Sequence, residues 1–331
     1  MKTYIKVVIL GLLCCLVISG CSNSADSSLN SADNPNIGVV VGSFDDSWRT
    51  SLRNELYKMA QNKYNISIWD GSGSQAVENK KIDALIKNKV DVLAVNLVES
   101  SAAPEVIEKA KKAEIPVVFF NVEPSYENLK KWDKVYYVGA KAEQSGIIQG
   151  NMLVDYFKTH PTTDGSIHYI MIKGPEAHQD ALLRTKYSIE TMESAGFKME
   201  KVGEDIAMWD RDKAHEKMEK FLQSSENKID CVIANNDDMA LGAIDALKNG
   251  GYFNGGKYIP VVGVDATGGA INAVKAGTLL GTVLNDAEGQ GKAIYELASI
   301  LAKGKTPTKQ NFSNEITSDK YIWIDYKEVT Q

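Results

Sequence analysis

Cysteine is scarce in this 331-residue chain and poorly spread for structural work: Cys14, Cys15 and Cys21 fall within the first 21 residues, and only Cys231 lies beyond them. A disulfide framework and a paired-cysteine metal site are thereby excluded. Positive charge is also short, with 37 Lys plus Arg against 43 Asp plus Glu and a formal charge of −6. Phosphate binding needs a basic face, so no nucleic-acid partner is expected. Beyond the amino-terminal segment no apolar run approaches the ~18 residues of a membrane-spanning helix. Enzyme signatures are missing as well. There is no G-x-S-x-G elbow and no G-x-x-x-x-G-K-[ST] phosphate loop, and His215-Glu216 lacks the second histidine of a zinc-protease helix. Asp45 and Asp46 are adjacent, with no second acid placed opposite them for glycoside hydrolysis. The chain reads as a non-enzyme. What is present is 44% hydrophobic residues over a length that favours two domains.

The amino terminus has a pattern of its own. Lys2 and Lys6 precede an apolar run over 7–20, the layout of a secretory signal. The run ends in Leu16-Val17-Ile18-Ser19-Gly20-Cys21, which resembles the lipobox of bacterial lipoproteins. Cleavage before Cys21 would leave that thiol to carry a diacylglycerol anchor and would place the mature chain outside the cytoplasm. The segment 21–36 then reads as the lipidated cysteine and a tether rich in Ser, Asn and Asp, unable to bury apolar surface. Loss of Lys2 and Lys6 with the signal takes the formal charge from −6 to −8. Cys231, within the apolar stretch 229–234, reads as a small buried hydrophobe.

Short apolar runs alternate with helical-period segments along the mature chain, the pattern of parallel sheets with crossover helices. Strands are expected at 37–41, 66–69, 92–96, 117–120 and 135–138, then at 167–172, 232–234, 261–264 and 281–284. Leu52, Leu56 and Met59 mark one buried helix stripe, and Ile82, Leu85 and Ile86 another. So many strands exceed one doubly wound sheet, and Gly139-Ala140 is a natural break between two series. Two α/β lobes follow.

Ligands of open parallel sheets bind beyond the carboxyl ends of the strands. Those positions hold Phe44-Asp45-Asp46-Ser47-Trp48, Asn121, His178 to Asp180 with Arg184, Asn235-Asn236-Asp237, Asp265 and Asn285-Asp286, and Trp209 is a further aromatic candidate. Singly, each has a blander role: Asp46, Asn121 and Asp180 as helix caps or turn residues, Arg184 as a solvated helix residue, the tryptophans as core. Together they are the inventory for a monosaccharide. A pyranose has a C–H face that stacks on a flat ring and a rim of hydroxyls matched by planar carboxylates, amides and guanidinium groups.

From these residues outward the chain resembles the galactose/glucose-binding proteins of sugar ABC importers, type I periplasmic binding proteins. The likeness runs through DDSW at 45–48, VVFFNVEP at 117–124, YYVG at 136–139, SGIIQG at 145–150, HQDALLR at 178–184, AMWD at 207–210, VIANND at 232–237, GVDA at 263–266 and GTVLNDA at 281–287. The resemblance implies two similar doubly wound parallel-sheet lobes joined by a three-stranded hinge, cut as 37–140 plus 287–317 and 141–286 plus 318–331. It implies that Asp46, Asn121, His178, Asp180, Arg184, Asn236, Asp265 and Asn285 make polar contacts with the sugar, and that Trp48 and Trp209 sandwich its ring. The expected partner is an ABC permease, with presentation of the closed form to a chemoreceptor or sensor kinase, or another monosaccharide as ligand, as alternatives. A sugar-responsive repressor shares the fold, but the chain has a signal and no basic DNA-binding head. A monomer is expected. Val122 stands where the family typically has Lys. The family's calcium loop is reduced here to 160–168, with Asp164 and the distant Asp230 as the remaining carboxylate candidates, a poor set for a hard cation, so no cofactor is expected.

Overall fold

The computed structural model describes residues 34–61, 64–224 and 228–331; the expected signal segment and the expected lipidation site Cys21 lie outside the described residues. The first series runs β1 (Asn36–Val41), α1 (Ser47–Ala60), β2 (Asn65–Asp70), α2 (Gln75–Lys87), β3 (Val92–Asn96), α3 (Ala103–Lys112), β4 (Val117–Phe120), α4 (Tyr126–Leu129) and β5 (Val135–Gly139). Its strands form a parallel sheet with β11 (Tyr321–Trp323), in the order β11-β5-β4-β3-β1-β2. Side chains alternate across a strand, so each run feeds two cores. Val39, Val41, Ala94 and Phe120 pack with Leu52 and Leu56 of α1 and with Ile294 and Leu297. Val40, Leu93, Val95 and Phe119 pack on the other face with Ile82 and Leu85 of α2 and Ile107 of α3. In both predicted stripes the third member, Met59 or Ile86, is only partly buried, and Ala60 completes the buried face of α1.

The second series runs α5 (Ala142–Thr159), β6 (Ser166–Lys173), α6 (Gln179–Ser194), β7 (Lys198–Ile206), α7 (Arg211–Ser224), β8 (Cys231–Ala234), α8 (Asp237–Asn249), β9 (Val261–Val262), α9 (Gly268–Lys275) and β10 (Thr282–Leu284). Four of its strands make a parallel sheet in the order β7-β6-β8-β9. A single bridge, Val262 to Gly281, continues the sheet towards β10, which pairs antiparallel with β12 (Lys327–Val329). Ile170, Ile172 and Val232 face α7 and α8, whereas Met171, Cys231 and Ile233 face α5 and α6. Cys231 is fully buried, and burial pushes its thiol up, so it packs as a small hydrophobe. Among the described residues no helix is long and apolar enough to cross a membrane.

The chain passes between the lobes after β5, again between β10 and α10 (Ala287–Ala302), and last between β11 and β12. That last crossing corrects the boundary expected near Ser318. Ser318 and Asp319 take left-handed backbone, φ 48° and 58°, and turn the chain back so that Tyr321 pairs with Tyr137 of β5 in the first lobe. The chain leaves that sheet only after Trp323. The unpredicted β7, KMEKVGEDI, is an edge strand with no fully buried residue, so it carries no apolar run.

Candidate functional site

The carboxyl ends of the parallel strands in both lobes open onto one cavity, whose empty volume counted to its mouth is about 360 Å³. All ten residues singled out as sugar contacts line it: Asp46, Trp48, Asn121, His178, Asp180, Arg184, Trp209, Asn236, Asp265 and Asn285. An eleventh, Arg49, was missed.

From the first lobe, Asp46 ends the loop after β1 and caps α1, accepting Arg49 N at 2.6 Å. Its second oxygen accepts Arg49 Nη1, also at 2.6 Å. Trp48 is buried in the first turn of α1, and its indole N–H donates to Asn285 O at 2.8 Å, fixing the ring against the second crossing. Asn121 follows β4 with φ 61°, the left-handed region that Asn tolerates. Tyr137 Oη donates to its carbonyl at 2.8 Å, and Asn96 Nδ2 donates to its Oδ1 at 3.0 Å.

From the second lobe, His178 caps α6: Asp180 N donates to its Nδ1 at 3.2 Å, which places the proton of the neutral ring on Nε2. Burial lowers the imidazole's pKa and favours that neutral form. Asp180 and Arg184, one turn apart on α6, pair at 3.0 Å. Arg184 also donates to Asn235 O at 2.8 Å and Tyr326 Oη at 3.1 Å, while its buried Nε has no partner within the described protein. Burial opposes its charge, but Tyr326, Asp180 and Asp265 more than offset burial and hold the guanidinium protonated. Trp209 lies after β7, edge-to-face with His178 at 5.2 Å between ring centroids. Asn236 caps α8 through Met239 N at 3.0 Å. Asp265 sits at φ 120°, and Asn285 Nδ2 donates to its Oδ1 at 3.2 Å. Burial raises its carboxyl well above the usual range, with Arg184 opposing. Flat aromatic faces, planar acceptors and fixed donors thus meet in one cavity, the chemistry of a polyhydroxylated ring.

A family model described as a periplasmic binding protein domain matches residues 37–306. The chain belongs to the periplasmic binding protein family. This binding protein is 38% identical over 312 residues to the D-galactose/methyl-galactoside binding periplasmic protein of Haemophilus influenzae, covering 91% of this chain and 92% of that one. It is 33% identical over 273 residues to a putative rhizopine-binding protein of Rhizobium meliloti, covering 81% and 85%. Among solved structures, an ABC transporter solute binding protein from Bacillus halodurans with bound myo-inositol matches at TM-score 0.76 and 26% identity, covering 91% and 96%. Members of the family carry solutes outside the cytoplasm.

The remaining sequence expectations concern what surrounds the site of the binding protein. Val122 is buried in the core between the first sheet, α2 and α3, so it does not line the cavity. The two calcium candidates, Asp164 and Asp230, already have side-chain partners. Lys228 Nζ lies 3.5 Å from Asp164 Oδ2 and 3.3 Å from Asp230 Oδ1, and His168 Nδ1 lies 2.8 Å from Asp230 Oδ2. Cationic and imidazole partners thus sit on the oxygens a hard cation would need. Asp237, next to Asn236, is not a cavity residue but the support of one. Its carboxyl accepts Thr282 Oγ1 at 2.6 Å and Thr267 N at 2.7 Å, pinning the loop that carries Asp265. Arg49 had one sequence signal, its place three residues after the capping Asp46, but that spacing is common at exposed helix starts.

Proposed function

We propose that this chain is an extracytoplasmic lipoprotein, anchored through Cys21, that binds D-galactose or D-glucose between its lobes and delivers it to an ABC sugar permease. The observation that carries the reading is the convergence of nine polar and two indole side chains from both lobes on one cavity. The identity to a D-galactose/methyl-galactoside binding protein favours a hexose. Calorimetric titration against a monosaccharide panel tests it: micromolar or tighter binding of D-galactose or D-glucose is expected, and no heat from either would sink the hexose assignment. Asp164 and Asp230 act in this reading as ion-pair partners of Lys228 and His168. Chelator should therefore leave the melting temperature unchanged, whereas a marked drop would restore a structural calcium.

A further inference from the structure

Arg49 joins the two first-lobe polar groups of the cavity. Its Nη1 donates to Asp46 Oδ2 at 2.6 Å while its backbone N donates to Oδ1 of the same carboxylate. Both oxygens are thus held by one residue, each with a further lone pair for a ligand. Its Nε donates to Oδ1 of the fully buried Asn96 at 3.0 Å, and Asn96 Nδ2 donates in turn to Asn121 Oδ1 at 3.0 Å. The guanidinium therefore ties the end of the β1–α1 loop to the end of β4. Only a planar fork can do so, because a lysine ammonium is a single point on a flexible stem.

We infer that Arg49 is a positioning residue for sugar binding, orienting the Asp46 carboxylate and, through Asn96, the Asn121 amide before the ligand arrives. The inference rests on the sugar-binding reading above and adds to it a preorganising device in the first lobe. Preorganised acceptors lower the ordering cost of binding, so loss of the fork should appear as lost affinity in a folded protein.

The test titrates D-galactose and D-glucose into wild type, Arg49→Met, Arg49→Lys, Asp46→Asn and the Asp46→Asn/Arg49→Met double variant, with melting curves on each. Arg49→Met should bind about tenfold more weakly, the usual scale of a lost charge-assisted hydrogen bond. Arg49→Lys should recover part of that loss. In the Asp46→Asn background the same Arg49→Met change should cost less than about threefold, because residues acting through one another are non-additive. Wild-type affinity in a folded Arg49→Met, or an undiminished loss in the Asp46→Asn background, would overturn the positioning role. If Asp46→Asn binds too weakly to titrate, or Arg49→Met does not fold, Arg49→Lys decides alone. Binding equal to wild type would then overturn the role, and a several-fold loss in a folded protein would support it. A wild type that gives no heat with either sugar would remove the sugar reading itself, and this inference with it.

Discussion

Trp209 stands over the cavity because two consecutive residues, Met208 and Trp209, adopt left-handed backbone at φ 58° and 66°, and because Gly174 leaves room for the indole: a Cβ there would run into the ring. Trp209→Ala should weaken hexose binding by roughly 1–3 kcal/mol, the worth of a stacked aromatic and its buried area, and unchanged affinity in calorimetry would mean that the ring does not stack on the ligand. Asp237 makes a different prediction, about pH. Burial pushes its carboxyl up to about 7, against about 3.9 for an unfolded Asp. Between those values the folded protein keeps a proton that the unfolded chain has released, so stability falls as pH rises, by up to ~1.4 kcal/mol per pH unit from this group. Asn at this position could still accept Thr267 N–H and could donate to Thr282 Oγ, replacing both bonds without a titrating group. The melting temperature of Asp237→Asn should therefore decline less than that of wild type between pH 4 and pH 7. Parallel curves would refute the assignment.

Helices α5 and α6 pack with their backbones close, and two glycines make that possible. A Cβ on Gly146 would meet Arg184 O at 2.8 Å, and one on Gly150 would meet Thr191 Cβ at 2.6 Å and Ser188 O at 2.8 Å. Alanine is worth up to about 1 kcal/mol over glycine in a free helix, but here a backbone atom would have to move, and overpacking typically costs about 1–3 kcal/mol. Because α6 carries Asp180 and Arg184, Gly146→Ala on α5 should lower both melting temperature and hexose affinity, while Leu182→Ala at an exposed position of α6 should leave stability nearly unchanged. Equal effects of the two would deny that α5 sets the position of α6. None of this closeness is written in the hydropathy of α5. Sequence reveals elements whose burial is complete: β3 and β4 are buried at every residue, and both read as apolar runs. It hides β7, half-exposed at a sheet edge, and β11, whose three residues follow a turn that sends the chain to the other lobe from the one expected. The cavity residues were legible because they lie at strand ends or in the segments that follow them, and within the motifs that carry the family resemblance. Arg49 was not, because it falls just past the DDSW motif at 45–48 and works through its partners Asp46 and Asn96.

At the scale of the whole molecule, the lobes meet through few direct bonds outside the crossings among the described residues. Ser47 donates from N and Oγ to the Asp238 carboxylate at 3.2 and 2.9 Å, and Gln179 Nε2 donates to Glu123 Oε2 at 3.0 Å. Trp48 Nε1 on Asn285 O adds a buried contact at the second crossing. Solvent-accessible polar bonds of this kind contribute only about 1 kcal/mol each, so without ligand the closed form has little to hold it. In the proposed reading a sugar touching both lobes shifts an open–closed equilibrium by its differential affinity for the closed state, and apparent affinity is the intrinsic one scaled by the closed fraction. Asp238 lies outside the cavity and should act on the closed fraction alone. Asp238→Ala is therefore expected to weaken D-galactose and D-glucose binding by the same factor, about two- to fivefold, and to leave their ratio intact. Small-angle scattering should show a sugar-free variant no more compact than sugar-free wild type, and the same radius of gyration for both when saturated. A changed ratio between the two sugars would place Asp238 in ligand recognition. An unchanged affinity and radius would mean that the Ser47–Asp238 contact contributes nothing to closure, and that the buried Trp48–Asn285 bond and the ligand hold the lobes together.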